Sequence, residues 1–294
     1  MVKLGIAMQS WHRPDYLRQC LESLAANDLR DVDVHLWQEG QYCRVTGQQR
    51  TSTEEIAGCV AAFERAAMPH KFTHVHEQHV GCAVQQLILM PYMAERYEQF
   101  IVLTDDVVVS RYCVPVMRRI MEQYAGDPKI GSISPSFRLH CPEGEIKEKR
   151  NKLMRCGWGD GGGIGPGPDA GNWNSYWAEG WWSDKWNMIW PNYEEYCQVI
   201  EDVPFQIVGS KAGAVAEWAR RVGSGISEPS SDTALLRATE LVGQERLRLV
   251  VNRATGIGDY GLNCTPEILA RLGDGHQLIY EWVDEPVVEM FERL

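Results

Sequence analysis

The chain has no long apolar run, no paired-cysteine spacing and no excess of positive charge, and each lack narrows what it can be. A membrane-spanning helix needs about 20 consecutive apolar residues, and no stretch reaches that length. No basic and apolar leader precedes the first apolar segment, residues 2–8, so a cytoplasmic protein is expected. The nine cysteines form no Cys-x-x-Cys pair and are odd in number. Cys59, Cys82 and Cys113 lie in apolar runs, where a free thiol behaves as a small hydrophobe. Reduced thiols are therefore expected, not a disulfide framework or a zinc knuckle. With 29 Lys and Arg against 40 Asp and Glu, the formal charge of −11 gives no diffuse attraction for nucleic acid or anionic lipid. Any polyanion would need a local basic patch.

What is present suits an α/β protein. The 294 residues, 44% apolar and 23% charged, suffice for one large domain or two small ones. Apolar strands and amphipathic helices alternate: strands over 2–8, 31–37 and 72–80, helices over 16–24, 53–67 and 84–97. Pro14 suits the first turn of a helix, and Thr53 is placed to cap the second. His74 and His76 share one face of the third strand, but no third ligand stands at a zinc-site spacing.

The chain is organised around residues 100–110, Phe-Ile-Val-Leu-Thr-Asp-Asp-Val-Val-Val-Ser. An apolar β-branched run reads as a buried strand covered on both faces. It delivers two adjacent carboxylates, Asp105 and Asp106, to its end. Side by side, these repel each other and lose hydration when buried. A divalent cation relieves both costs, and oxygen ligands suit Mn²⁺ or Mg²⁺. Such an ion, open on one side, can carry a diphosphate. An acidic turn between two strands is the plainer alternative.

Beyond the strand at 129–134 the texture changes. Residues 143–155 are strongly charged, with Lys147, Lys149, Arg150, Lys152 and Arg155 among them. A Gly/Pro-rich loop over 156–172 follows, without the strand–turn–helix setting of a dinucleotide fingerprint. Six tryptophans crowd between 173 and 190, the composition of a cleft that stacks on sugars or bases, or of a core. Helices are expected over 193–200, 212–221 and 232–241, and a strand over 246–252, before a Gly-rich turn at 256–261.

In order along the chain, these segments resemble glycosyltransferases of the GT-A fold, a Rossmann-like α/β domain with a mixed, mostly parallel sheet flanked by helices. The likeness is to inverting enzymes of the N-acetylglucosaminyltransferase I type and, more distantly, to family 2 enzymes. It rests on Ser-Trp-His-Arg-Pro-Asp-Tyr-Leu-Arg-Gln-Cys-Leu-Glu-Ser-Leu (10–24), Leu-Trp-Gln-Glu-Gly (36–40), His-Val-Gly-Cys-Ala-Val-Gln (79–85), Val-Leu-Thr-Asp-Asp-Val (102–107) and Ser-Asp-Thr-Ala-Leu-Leu-Arg (231–237). Two departures stand out: Thr104 replaces a glutamate, and the 256–263 turn has no histidine to add a metal ligand.

The resemblance implies a nucleotide-sugar-binding half over 1–136 and an acceptor-binding and catalytic half over 137–294 of the same GT-A domain. It implies that Ser10, Arg13, Glu39, Gln85 and Asp105 bind a nucleotide-sugar donor, UDP-linked. Asp106, with Asp105, would hold Mn²⁺ or Mg²⁺, and Asp232 would be the general base of an inverting transfer. Asp184 and Glu179 are rivals for that base. Trp181, Trp182, Asp184, Lys149 and Arg150 would face the acceptor. A glycan, a lipid-linked sugar or a protein hydroxyl is the expected acceptor. The basic run keeps open a hydroxymethylated base in DNA, as in bacteriophage enzymes. Readings from other classes are a sugar-1-phosphate nucleotidyltransferase and a sugar-binding module without activity.

Overall fold

A computed structural model of the chain describes residues 3–135, 141–156, 178–200, 217, 220–221, 231–258 and 290–294. Strand β1 (Leu4–Ser10) is followed by α1 (Pro14–Ala25), β2 (Val32–Gln38), α2 (Thr53–Arg65), β3 (His70–Val75), α3 (Cys82–Arg96) and β4 (Gln99–Thr104). After the two carboxylates come β5 (Val107–Val109), α4 (Cys113–Tyr124), β6 (Ile130–Ser134), a short helix α5 (Ile146–Lys149) and β7 (Lys152–Cys156). The second half adds β8 (Ala178–Trp182), α6 (Ser183–Ile200), α7 (Ser231–Leu241), β9 (Glu245–Leu249), β10 (Ala254–Gly256) and β11 (Glu292–Arg293).

Among the described residues, nine strands form one sheet in the order β11-β7-β9-β6-β8-β4-β1-β2-β3, so both halves of the chain share it. The run β4-β1-β2-β3 is parallel throughout, while β8 inserts antiparallel between β4 and β6. All seven residues of β1 and of β2 are buried, which explains their near-continuous apolar sequences. Helices cover both faces. Leu17, Leu21 and Leu24 of α1, Phe63 of α2 and Met117 and Ile120 of α4 pack in one core. Leu89 and Met93 of α3, Trp186 and Tyr193 of α6 and Leu235 of α7 pack in the other.

Three boundaries differ from expectation, each for a local reason. Helix α2 is capped by Ser52, not Thr53: Ser52 Oγ accepts from the Glu55 N–H at 3.1 Å. Glu55 in turn accepts from the Ser52 N–H at 2.8 Å, a reciprocal box that the Thr-Ser-Thr run over 51–53 leaves ambiguous by one residue. Strand β3 is shorter than 72–80 because it lies at the sheet edge and pairs only as far as Gln38; residues beyond it turn back toward Glu39. Helix α6 starts at Ser183, ten residues before the expected 193, and carries Pro191 inside it. Its buried Trp186, Ile189, Tyr193 and Tyr196 follow a helical stripe, and that packing outweighs the proline's local preference. The helix expected over 212–221 lies almost wholly outside the described residues.

Candidate functional site

In an open α/β sheet, ligands bind where successive connections leave a strand in opposite directions, outside its carboxyl end. Here the chain leaves β1 toward β2 and β3, then crosses back to place β4 on the other side of β1. The switch point therefore lies between the ends of β1 and β4. Residues 10–13 follow the first strand, and Asp105 and Asp106 follow the second.

The side chains there form a compact charged cluster. Arg13 occupies the N-cap position of α1, where Pro14 begins the helix as expected. Its guanidinium makes a short contact with Asp105 Oδ1 and lies 3.0 Å from Asp106 Oδ2. The other oxygen of Asp105 accepts from the Trp11 backbone N–H at 3.2 Å. Asp106 Oδ1 accepts from the Thr104 hydroxyl at 2.7 Å. Thr104, the departure from the family's glutamate, thus orients Asp106 in place of adding a third charge.

Burial separates the two carboxylates. Asp105 is 3% exposed, and burial pushes its carboxyl above the ordinary range although Arg13 pulls the other way. The Asp106 side chain is 25% exposed. Burial works against the charge on Arg13, but Asp105 and Asp106 outweigh it and hold the guanidinium firmly protonated. Beyond Asp106, β10 pairs with β5 and brings the Gly256–Gly258 turn over the carboxylate. The Ile257 N–H donates to the Asp106 carbonyl at 2.7 Å.

Glu39, just past β2, is 3% exposed. Burial raises its carboxyl to about 7, against backbone N–H donors at Val80 and Gly81. Oε2 accepts from the Val80 N–H at 2.7 Å and lies 3.4 Å from His79 Nδ1. Oε1 has no hydrogen-bond partner among the described residues; nor do Trp11 Nε1, His12 Nδ1 and His79 Nδ1. Four buried polar atoms left over in one corner are an unusual concentration for a native interior. Gly40 lets the backbone approach so closely that a Cβ there would meet Gln78 backbone at 2.5 Å. The Trp11 ring lies against His12 and His79, with the Arg50 guanidinium over it at 5.6 Å.

The structure does not bring all the expected residues here. Ser10 is present, buried beside the Cys59 thiol. Gln85 is near, but its amide is committed: it accepts from Gln9 Nε2 at 3.0 Å and donates to the Trp37 carbonyl at 2.9 Å. It therefore ties β1 to β2 and does not face a ligand. Trp181 and Trp182 are 1% and 2% exposed, and Trp182 pairs with Gln99 at the far end of β4. That is about 20 Å of strand away from Asp105. Asp184 follows them on that same side. These tryptophans are core, so aromatic crowding misled the acceptor reading. Glu179 is sealed in an ion pair with Arg246 inside the sheet and cannot serve as a base.

Among the basic residues, Lys149 pairs with Glu145, Lys152 with Glu292, and Arg155 lies 3.5 Å from Glu245. That interleaving with glutamates offsets the basic run, which had kept a phosphate-binding reading open. The Asp232 side chain and most of the 156–172 loop lie outside the described residues, but helix α7 itself is described. It leads through a short turn into β9, which is parallel to β6. The N-terminal end of α7, carrying Asp232, therefore points toward the carboxyl edge of the sheet, the edge that holds Asp105 and Asp106.

Asp105 Oδ1 and Asp106 Oδ2 are tied to neither Trp11 nor Thr104; of the two, Asp106 Oδ2 belongs to the more exposed side chain, 3.0 Å from Arg13 and beside the Gly258 backbone. Among the described residues no group of three or more His, Cys, Asp or Glu could hold a metal alone. The His74 imidazole is taken up by His35 at 3.0 Å and by stacking on Trp37. The donor set at Asp106 fits a hard cation whose shell is completed by phosphate oxygens, the usual arrangement for Mg²⁺.

No protein-family model and no curated protein matches the chain. Solved structures similar to it include the mannosyltransferase PcManGT from Pyrobaculum calidifontis, in complex with GDP-Man and Mn²⁺ (9% identity, TM-score 0.43, covering 83% of this chain and 54% of that one). Others are S. aureus TarS 1–349 (10% identity, TM-score 0.45, covering 84% and 58%) and the galactosyltransferase LgtC with donor and acceptor sugar analogs (13% identity, TM-score 0.38, covering 80% and 69%). The chain thus spans little more than half the length of the first two. With TM-scores below 0.5, these likenesses carry no functional argument, which rests on the site itself. No helix of the described residues is long and apolar enough to cross a membrane.

Proposed function

We infer that the chain is a metal-dependent glycosyltransferase that takes a sugar from a uridine diphosphate sugar and passes it, with inversion, to an acceptor hydroxyl. The observation that carries this reading is the cluster of Arg13, Asp105 and Asp106 at the switch point of the sheet, with Glu39 at the end of the neighbouring strand β2, its N–H donating to the Ser10 carbonyl at 2.9 Å. A guanidinium and a carboxylate-held cation suit a diphosphate; a buried carboxylate with one unengaged oxygen suits a single N–H donor such as the uracil imide.

The division of labour follows from these positions. Glu39 Oε1 accepts from the base, and the Trp11 ring walls the same corner. Arg13 donates to the diphosphate. Asp106 holds the cation directly, while Asp105 fixes Arg13 and the 10–13 backbone. The cation, when bound, neutralises charge developing on the departing diphosphate. Asp232, at the start of α7 on the same edge, takes the acceptor proton from the face opposite the leaving group. The acceptor is a hydroxyl of a glycan, a lipid-linked sugar or a protein, and the sugar a hexose or N-acetylhexosamine.

The test is incubation of the purified protein with a panel of nucleotide sugars and Mn²⁺. Slow release of nucleoside diphosphate from a UDP-sugar, stopped by chelator, is expected. Release of pyrophosphate would point to a nucleotidyltransferase, and no turnover or binding of any nucleotide sugar would overturn the reading.

A further inference from the structure

The Arg13 guanidinium lies between two carboxylates that a divalent cation would otherwise bring together. It touches Asp105 Oδ1 and stands 3.0 Å from Asp106 Oδ2. That second atom is the oxygen the site offers to a metal, since Asp106 Oδ1 is held by Thr104. Asp105 is tied on its other side to the Trp11 N–H, so the whole cluster is closed. The Arg13 side chain is 15% exposed and lies over the Tyr16 ring at 5.3 Å, so the packed position is one the protein supports.

We propose that Arg13 is a resident counter-cation: without nucleotide it occupies the carboxylate pair and keeps divalent metal off Asp106. The proposal rests on the donor reading above and concerns its regulation. A dication at Asp106 Oδ2 would stand within a few ångströms of a guanidinium bound to the same oxygen, and like charges at that range repel strongly in a partly buried site. Metal can enter only as the guanidinium leaves. A diphosphate supplies both things needed: oxygens that complete the metal shell, and a new anionic partner for Arg13. Metal and nucleotide therefore bind as a unit, with the protein closed to free metal.

Mn²⁺ binding, read by electron paramagnetic resonance of the free ion, tests this without any turnover. With no nucleotide present, Arg13→Gln is expected to bind Mn²⁺ about tenfold more tightly than the wild type, or better. Arg13→Lys keeps the charge and should stay near the wild type. Adding UDP should tighten Mn²⁺ binding in the wild type far more than in Arg13→Gln, closing the gap. Asp106→Asn in the Arg13→Gln background should abolish the gain, which locates the ion. Equal or weaker Mn²⁺ binding in Arg13→Gln, with circular dichroism unchanged, overturns the proposal, as does a gain that survives Asp106→Asn. The nucleotide-free comparison decides it even where UDP fails to bind either protein, a result that would instead overturn the donor reading.

Discussion

Gly258 and Asp106 pack so closely that a Cβ added to the glycine would lie 2.6 Å from Asp106 Oδ2. The contact links the 256–258 turn to the oxygen proposed to take a cation. Gly258→Ala must push either the turn or the carboxylate aside. Overpacking of this kind costs about 1–3 kcal/mol, and the strain falls on the site. Mn²⁺ affinity in the presence of UDP is expected to drop about tenfold or more, with an unchanged circular dichroism spectrum. Calorimetry showing wild-type affinity would remove Asp106 Oδ2 from the metal site.

Glu39 makes a prediction about pH. Its carboxyl stands at about 7, above the ordinary value of 4.5, because burial disfavours the charge. A group raised on folding stabilises the native state below its unfolded value, and that stability is lost as pH rises through the folded value. Ionisation in the folded protein thus costs about 3 kcal/mol across pH 4.5 to 7. Glu39→Gln should be more stable than the wild type at pH 8, with the difference vanishing below pH 4.5. UDP binding should weaken in the same variant, since an amide oxygen is a poorer acceptor than a carboxylate. Denaturant titrations at the two pH values read the first effect; a wild type equally stable relative to Glu39→Gln at both would show that the carboxyl is not raised.

The parallel half of the fold was legible because its strands are covered on both faces and so read as plain apolar runs. The Asp105–Asp106 end of β4 was legible for the same reason: charge following such a run has nowhere to go but the strand's carboxyl end. Of the tryptophans, Trp181, Trp182 and Trp186 are core, while Trp173 and Trp177 lie outside the described residues. The apolar spacing in α6 is that of a core stripe, but Pro191 hides the helix, and the antiparallel insertion of β8 is invisible in composition. Only that insertion sends Trp181 and Trp182 to the end of the sheet away from the carboxylates. The Arg13 bridge joins residues 92 positions apart, a contact no local pattern encodes.

Glu179 and Arg246 test the distinction between structural and chemical carboxylates. Arg246 Nε donates to Glu179 Oε1 at 2.8 Å, and a second bond joins Nη2 to Oε2. The side chains are 1% and 0% exposed. Breaking a buried pair by removing one partner costs about 3–5 kcal/mol. Glu179→Gln should lower the denaturation midpoint markedly while turnover per folded molecule stays near normal. Loss of turnover with full stability would restore Glu179 as a base.

The proposed inverting transfer assigns the acceptor proton to Asp232. Helix α7 begins at Ser231, so Asp232 lies in its first turn, where unpaired backbone N–H groups and the helix dipole favour a negative charge. The sheet topology directs that end of the helix to the edge carrying Asp105 and Asp106. The positive end of a helix favours the ionised form of a carboxylate, the form that accepts a proton. Proton removal by a positioned group contributes about 10²–10⁴-fold, and Asp232→Asn should lower kcat by that factor with KM for the donor little changed. Asparagine serves nearly as well as aspartate at a helix start, so stability should fall by well under about 2 kcal/mol. Asp184 is the control: it is exposed at the start of α6, beyond the Trp182 end of β8, and Asp184→Asn should turn over normally. Normal turnover in Asp232→Asn alongside a dead Asp184→Asn would place the chemistry at the other end of the sheet and overturn the assignment.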